Sequence, residues 1–156
     1  MLDKPTIKGY KIMTTTFKAE GAELKKVTMD GMNLAGADLR WANLANCNFK
    51  GCDLSGADFT GADLRWCDFS GANLTGAVFK DADMANVTLT GANLTDSSLE
   101  NAELRACTVV KVIGKGANLK GCDFGDSQCY NSDWEGAQTE GAVTDKAWGL
   151  KLPKAA

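Results

Sequence analysis

From Leu24 onward, every fifth residue is large and apolar. The series begins Leu24, Met29, Leu34, Leu39, Leu44, Phe49 and runs to Val109, eighteen positions without a miss. Gly114 interrupts it, and Leu119, Phe124, Cys129 and Trp134 resume it in the same phase. A helix repeats every ~3.6 residues and a strand every ~2, so neither gives a period of five.

The residues around each centre are equally regular. Two places before it stands a small residue, as at Ala37, Ala42, Cys47, Cys52, Ala57 and Ala62; Val27, Met32, Val87 and Val112 are larger exceptions. One place before is usually Asp or Asn, and two places after is often Gly. The unit is A-(D/N)-(L/F)-x-G. Asp and Asn favour turns by bonding nearby backbone, and Gly accepts positive φ. A turn signal every five residues cannot make long strands, but it can make a coil with short sides.

With "GADLR", "GADFT" and "GANLT" as near-consensus units, the chain resembles the pentapeptide-repeat family over about residues 20–138. That resemblance implies an all-β fold, a right-handed quadrilateral parallel β-helix of about five to six coils. Four pentapeptides form the sides of each coil, and residues twenty apart stack about 4.8 Å from one another. The expected organisation is an N-terminal cap or degenerate coil over 1–20, the β-helix over 21–138 and a C-terminal cap over 139–156. Ile7, Ile12 and Phe17 carry the five-residue phase into the first segment, at the small position. In the last, Thr144 or Asp145 suits the start of one short helical turn ending near Gly149 and Pro153. Stacked coils leave open edges that recruit other chains unless covered. Trp148, Leu150 and Leu152 are expected either to seal the last coil or to form a dimer contact, as the C-terminal end does in some family members.

Stacking by twenty explains most of the chemically suggestive residues. Cys47, Cys52, Cys67, Cys107 and Cys122 fall at the small inward position, and Cys129 falls at a centre, so all six read as core. Cys47 and Cys67 share a column, yet two thiols are expected there. No metal site is expected, because zinc needs converging ligands and the chain has no histidine. Phe49, Phe59, Phe69 and Phe79 are expected to stack ring on ring. At Gly114, either Ile113 or a neighbour must fill the gap, or the coil bulges. The regular acids, such as Asp58 and Asp63, lack the cleft and distinct environments that acid–base catalysis needs. No catalytic residue and no cofactor is expected, and the chain reads as a non-enzyme.

Composition narrows the partners. A net charge of −3 is too small to drive binding to nucleic acid or an anionic membrane. No apolar run approaches the ~18 residues of a membrane span. The start, "MLDKPTIKGYKIM", lacks the pattern of a secretory signal, so a cytoplasmic location is expected.

Function, if written anywhere, lies in departures from the repeat. Two "LRW" units place Arg40, Trp41, Arg65 and Trp66 at outward positions, and exposed Trp beside Arg is common at protein interfaces. One outer face carries the acidic ladder Glu23, Asn43, Asp63, Asp83, Glu103 and Asp123, with Arg65 and Arg105 interleaved. Packing over neighbouring corners and plain solvation are the competing explanations. The main expectation is a rigid scaffold that docks a partner protein, as a monomer or as a C-terminal-end dimer. The alternative comes from the resemblance: some relatives inhibit DNA gyrase by imitating duplex DNA and confer fluoroquinolone resistance. Duplex DNA carries one charge per about 1.7 Å of axis, so a rod of roughly 27 Å would have to match about sixteen phosphates.

Overall fold

The computed structural model describes residues 6–7, 10–11 and 17–153. Strands β1 (Thr6–Ile7) and β2 (Tyr10–Lys11) pair antiparallel, with Ile7 opposite Tyr10. Ile12 lies outside the described residues. From Lys18 onward the chain is a ladder of single parallel bridges. Lys18 pairs with Asp38 and Glu23 with Asn43, continuing in steps of five to Gln128 with Trp148. Each bridge joins residues twenty apart, so four five-residue sides complete one coil.

The unit around Leu54 shows why the sequence folds this way, because each of its five N–H groups has an acceptor. Cys52 N donates to Phe49 O at 3.1 Å and closes a turn. Asp53 N donates to Met32 O (3.0 Å) in the preceding coil, and Leu54 N and Gly56 N donate to Asn73 O (2.8 Å) and Thr75 O (2.9 Å) in the following one. The fifth, Ser55 N, donates to Asp53 Oδ1 at 3.1 Å. The same side-chain bond recurs at Lys50 to Asn48, Thr60 to Asp58 and Ser70 to Asp68. Where Asp or Asn precedes a centre, it therefore satisfies the one backbone donor that the ladder misses. The closing turn is type II, which requires positive φ at its third residue. Every corner from residue 21 to residue 146 meets that demand, with φ between 54° and 72°.

The large centres and the small residues both point inward and form one core. Leu64 and Phe69 are fully buried. Phe49 and Phe69 stack at 4.8 Å and 5°, Phe59 and Phe79 at 4.9 Å and 2°, and the two stacks meet edge-on at about 6 Å. The cysteines do more than fill space. Cys47 Sγ donates to Leu24 O, Cys52 to Met29 O, Cys67 to Leu44 O and Cys122 to Leu99 O, each tying one coil to the one before. None of the six forms a disulfide. Burial pushes the thiols of Cys107 and Cys122 up to about 12 and Cys129 to about 11, so they stay protonated and unreactive near neutral pH. Ser127 and Ser132 use the same inward position. Ser127 Oγ bonds Leu104 O and Cys107 N, and Ser132 Oγ bonds Val109 O and Val112 N, so each hydroxyl bridges a turn one coil earlier.

At Gly114 the coil keeps its register and a neighbour fills the gap. A β-carbon on Gly114 would overlap the indole of Trp134, the next residue of the same column. Trp134 is buried and meets Phe124 edge-on at 6.0 Å. Ile113 instead points outward and is exposed.

The C-terminal expectation needs correction. The repeat does not stop at 138, and no helix occurs among the described residues. Asp123 pairs with Val143 and Gln128 with Trp148, with left-handed corners at Gly141 and Lys146. Thr139, Thr144 and Gly149 take the centre positions, so the backbone of the coil persists after its apolar centres have ended. Trp148 falls one place before a centre, which points it outward; it is 64 % exposed and seals nothing. Leu150 and Leu152 are half-buried against the core. Among the described residues no helix is long and apolar enough to cross a membrane.

The Gly114–Trp134 fit makes a direct prediction. Gly114→Leu should destabilise the fold by at least about 1–3 kcal/mol through overpacking. Trp134→Leu should cost about 2–4 kcal/mol through the cavity it leaves. The double variant rebuilds a leucine column and should recover most of both losses; additive losses in urea unfolding would refute the fit.

Candidate protein-docking face

Trp41 and Trp66 stand at corners, the third residues of their type II turns, with φ of 58° and 64°. A bulky L-residue in that region is an outlier, and the left-handed backbone costs about 1–2 kcal/mol. Burial returns little of it, because the side chains are 62 % and 61 % exposed. The two differ in what lies beyond them. The residue twenty ahead of Trp41 is Gly61, and a β-carbon there would overlap the six-membered ring. Trp41 therefore lies flat across the next coil's corner. The residue twenty ahead of Trp66 is Asn86, which carries a β-carbon and offers no such floor. Since Trp41 leans onto Gly61, both indoles flank one side, Gly61–Trp66, one at each corner. Gly61, the residue that brings them level, looks in the sequence like an ordinary repeat glycine. Its signal is a glycine twenty residues after a corner tryptophan.

The arginines of the "LRW" units are held by carboxylates. Arg40 bonds Asp38 through Nε and Nη2, both at 2.8 Å, and reaches Glu20 at 3.3 Å and Asp58 at 4.0 Å. Arg65 bonds Asp63 at 2.9 and 2.7 Å and reaches Asp83 at 3.3 Å. The guanidinium of Arg40 lowers the pKa of Asp38, and that of Arg65 lowers the pKa of Asp63. The acidic ladder is continuous in the backbone, with Asn43 bridging to Asp63, Asp63 to Asp83, Asp83 to Glu103 and Glu103 to Asp123. Most of its acids are in ion pairs: Glu23 with Lys25, Asp63 and Asp83 with Arg65, and Asp123 with Arg105 at 2.9 Å, which also approaches Asp126 at 3.8 Å. Asp63 and Asp123 also accept the N–H two residues ahead, the structural role shared by acids across the rod. Trp148 and Val143 form a separate exposed region toward the C-terminal end, where Tyr130 lies over Gly149. Among the described residues no group of three or more Cys, Asp or Glu is placed to hold a metal ion.

The model of pentapeptide repeats matches residues 33–71 and 72–109 as eight copies. The chain belongs to the pentapeptide-repeat family. A solved relative, the pentapeptide-repeat protein Rfr23 of the cyanobacterium Cyanothece 51142, is 25 % identical, with 81 % of this chain and 90 % of that one covered and a TM-score of 0.57. A pentapeptide-repeat protein of the Arabidopsis thaliana thylakoid lumen is 31 % identical over 80 % of this chain and 69 % of that one, with a TM-score of 0.29. QnrB1, a plasmid-mediated fluoroquinolone resistance protein, is 20 % identical over 88 % of this chain and 82 % of that one, with a TM-score of 0.45. Identity and superposition at that level give QnrB1 no weight beyond the shared repeat. No curated protein matches the chain. The family relation implies the right-handed quadrilateral form of the β-helix.

The glycine floor under Trp41 can be measured. Gly71, also a left-handed corner, has open space where a β-carbon would go. Gly71→Ala should cost only the backbone term, about 1–2 kcal/mol, and Gly61→Ala should cost more because it evicts the indole. In a Trp41→Ala background the two alanine substitutions should become equal. Equal costs in the wild-type background would mean that the ring does not rest on Gly61.

Proposed function

We propose that this pentapeptide-repeat protein is a non-enzymatic scaffold that docks a partner protein through the side Gly61–Trp66 and its two flanking indoles. One observation carries the reading: two tryptophans at corners of the rod leave most of their surface in water. Tryptophan is enriched at interfaces, and Trp beside Arg is typical of interface anchors. The rod suits such a role because its outward side chains sit on a hydrogen-bonded lattice that fixes their spacing. Arg40 and Arg65, already paired to carboxylates, are held in place ahead of binding, which lowers the ordering cost of an interface. The regular acids that could suggest catalysis are occupied with backbone N–H groups and arginines, which supports a non-enzymatic reading.

Pull-down from a lysate of the protein's own cells, with wild type and the Trp41→Ala/Trp66→Ala variant side by side, tests this. The expected result is a partner retained by wild type and lost by the variant at unchanged thermal stability. Equal recovery by both would remove the docking role from this face.

The gyrase-inhibitor alternative has less support. A duplex mimic needs dense, unbalanced negative charge, whereas this rod interleaves its acids with Arg40, Arg65, Arg105, Lys115 and Lys120, each in an ion pair. Purified gyrase is expected to supercoil DNA normally in its presence; sub-stoichiometric inhibition would reverse the ranking.

A further inference from the structure

We infer that the partner surface seated on Gly61–Trp66 is a basic, extended segment, with a lysine or arginine laid against an exposed indole. This rests on the docking role proposed above and names the chemistry of its occupant. The first argument is charge. Around the two indoles Arg40 faces Asp38, Asp58 and Glu20, and Arg65 faces Asp63 and Asp83. Lys18, bridged to Asp38, and Lys26, in the corner column of Trp66, offset part of that charge, while Lys25 lies 3.6 Å from Glu23, Lys80 is taken up by Glu100, and Asp81 adds a carboxylate at the corner beyond Gly61. The surface beside the tryptophans therefore keeps a small negative surplus with its arginines engaged. An acidic partner, a nucleic acid or a second copy of this same face would meet like charge.

The second argument is the indoles. A tryptophan face attracts a cation within about 6 Å of its ring, and arginine and lysine are the side chains that supply one. An indole beside surplus carboxylate favours such a cation twice, through the ring and through the charge. The third argument is size. Gly61 and Trp66 are five residues apart, a span of at most about 18 Å. An extended segment of about five residues covers that length, long enough to reach both indoles.

The probes are two acetylated, amidated peptides, Gly-Lys-Lys-Lys-Gly and Gly-Glu-Glu-Glu-Gly, titrated at matched ionic strength into the full-length protein labelled for indole N–H detection by NMR. The four indole signals are assigned with single Trp→Phe variants. The lysine peptide should shift the signals of Trp41 and Trp66 and leave those of buried Trp134 and distant Trp148 in place. The glutamate peptide should shift none. Trp66→Ala should weaken lysine-peptide binding about two- to fivefold, the worth of one exposed cation–π contact. Asp83→Asn, which reduces the negative surplus and leaves the indoles intact, should weaken it as well. Unmoved Trp41 and Trp66 signals, an equal response to the glutamate peptide, or an equal shift at Trp148 would each overturn the inference. The wild-type titration decides even if a variant folds poorly. If the double tryptophan variant loses its captured partner while the lysine peptide moves nothing, the docking role stands and the basic segment falls; if partner recovery is unchanged, the docking face itself falls.

Discussion

The structure depends on finding acceptors for backbone N–H groups in a chain that turns a corner every five residues. Such frequent turning leaves too little strand for an ordinary sheet. The solution divides the donors of each unit between the coils on either side, a type II turn and, where Asp or Asn precedes the centre, one Asx side chain. The positive φ at each corner and the frequent Asp or Asn before a centre are two halves of that solution. Once both are met, the direction of every side chain is fixed: two residues of each unit point inward and three do not. Core and surface are consequences of hydrogen bonding as much as of hydrophobicity.

That division explains why the fold could be read from the residues and the site only partly. The centres, the small positions and the corners each repeat, so twenty-residue stacking put Leu64, Phe69 and the phenylalanine columns in their places. The coil runs past its last large apolar centre, which is the plainest marker of its extent in the sequence. Thr139, Thr144 and Gly149 are poor centres, but Ala137, Ala142 and Ala147 still hold the small position, and Gly136 and Gly141 still hold corners. Backbone geometry follows the small positions and the left-handed corners, which persist here after the large centres have ended. The centres decide how well the interior is filled, and a coil can continue for some distance without them.

The site depends on pairs rather than positions. That Trp41 lies over Gly61 follows from two residues twenty apart, and so does the filling of Gly114 by Trp134. Trp41 stands out as a departure and Trp134 as a regular centre, while their complements look like an ordinary repeat glycine and an isolated gap. The acids carry the opposite lesson. Asp63 and Asp83 look like a chemical feature, yet both serve the backbone and both serve Arg65, and only the surplus beyond those duties is available to another molecule.

The indole seated in the space of Gly114 also bears on how layers choose their neighbours. Chain continuity fixes which coil follows which, but the bridges are alike from end to end, so backbone hydrogen bonding alone does not distinguish one five-residue unit from the next. Side chains must break that degeneracy. A bulky ring that fits only over a vacant centre does so: displaced by one unit, Trp134 would meet Val109 or Leu119 instead of Gly114. The mismatched pair acts as a key in its lock and sets the register in which otherwise similar units stack.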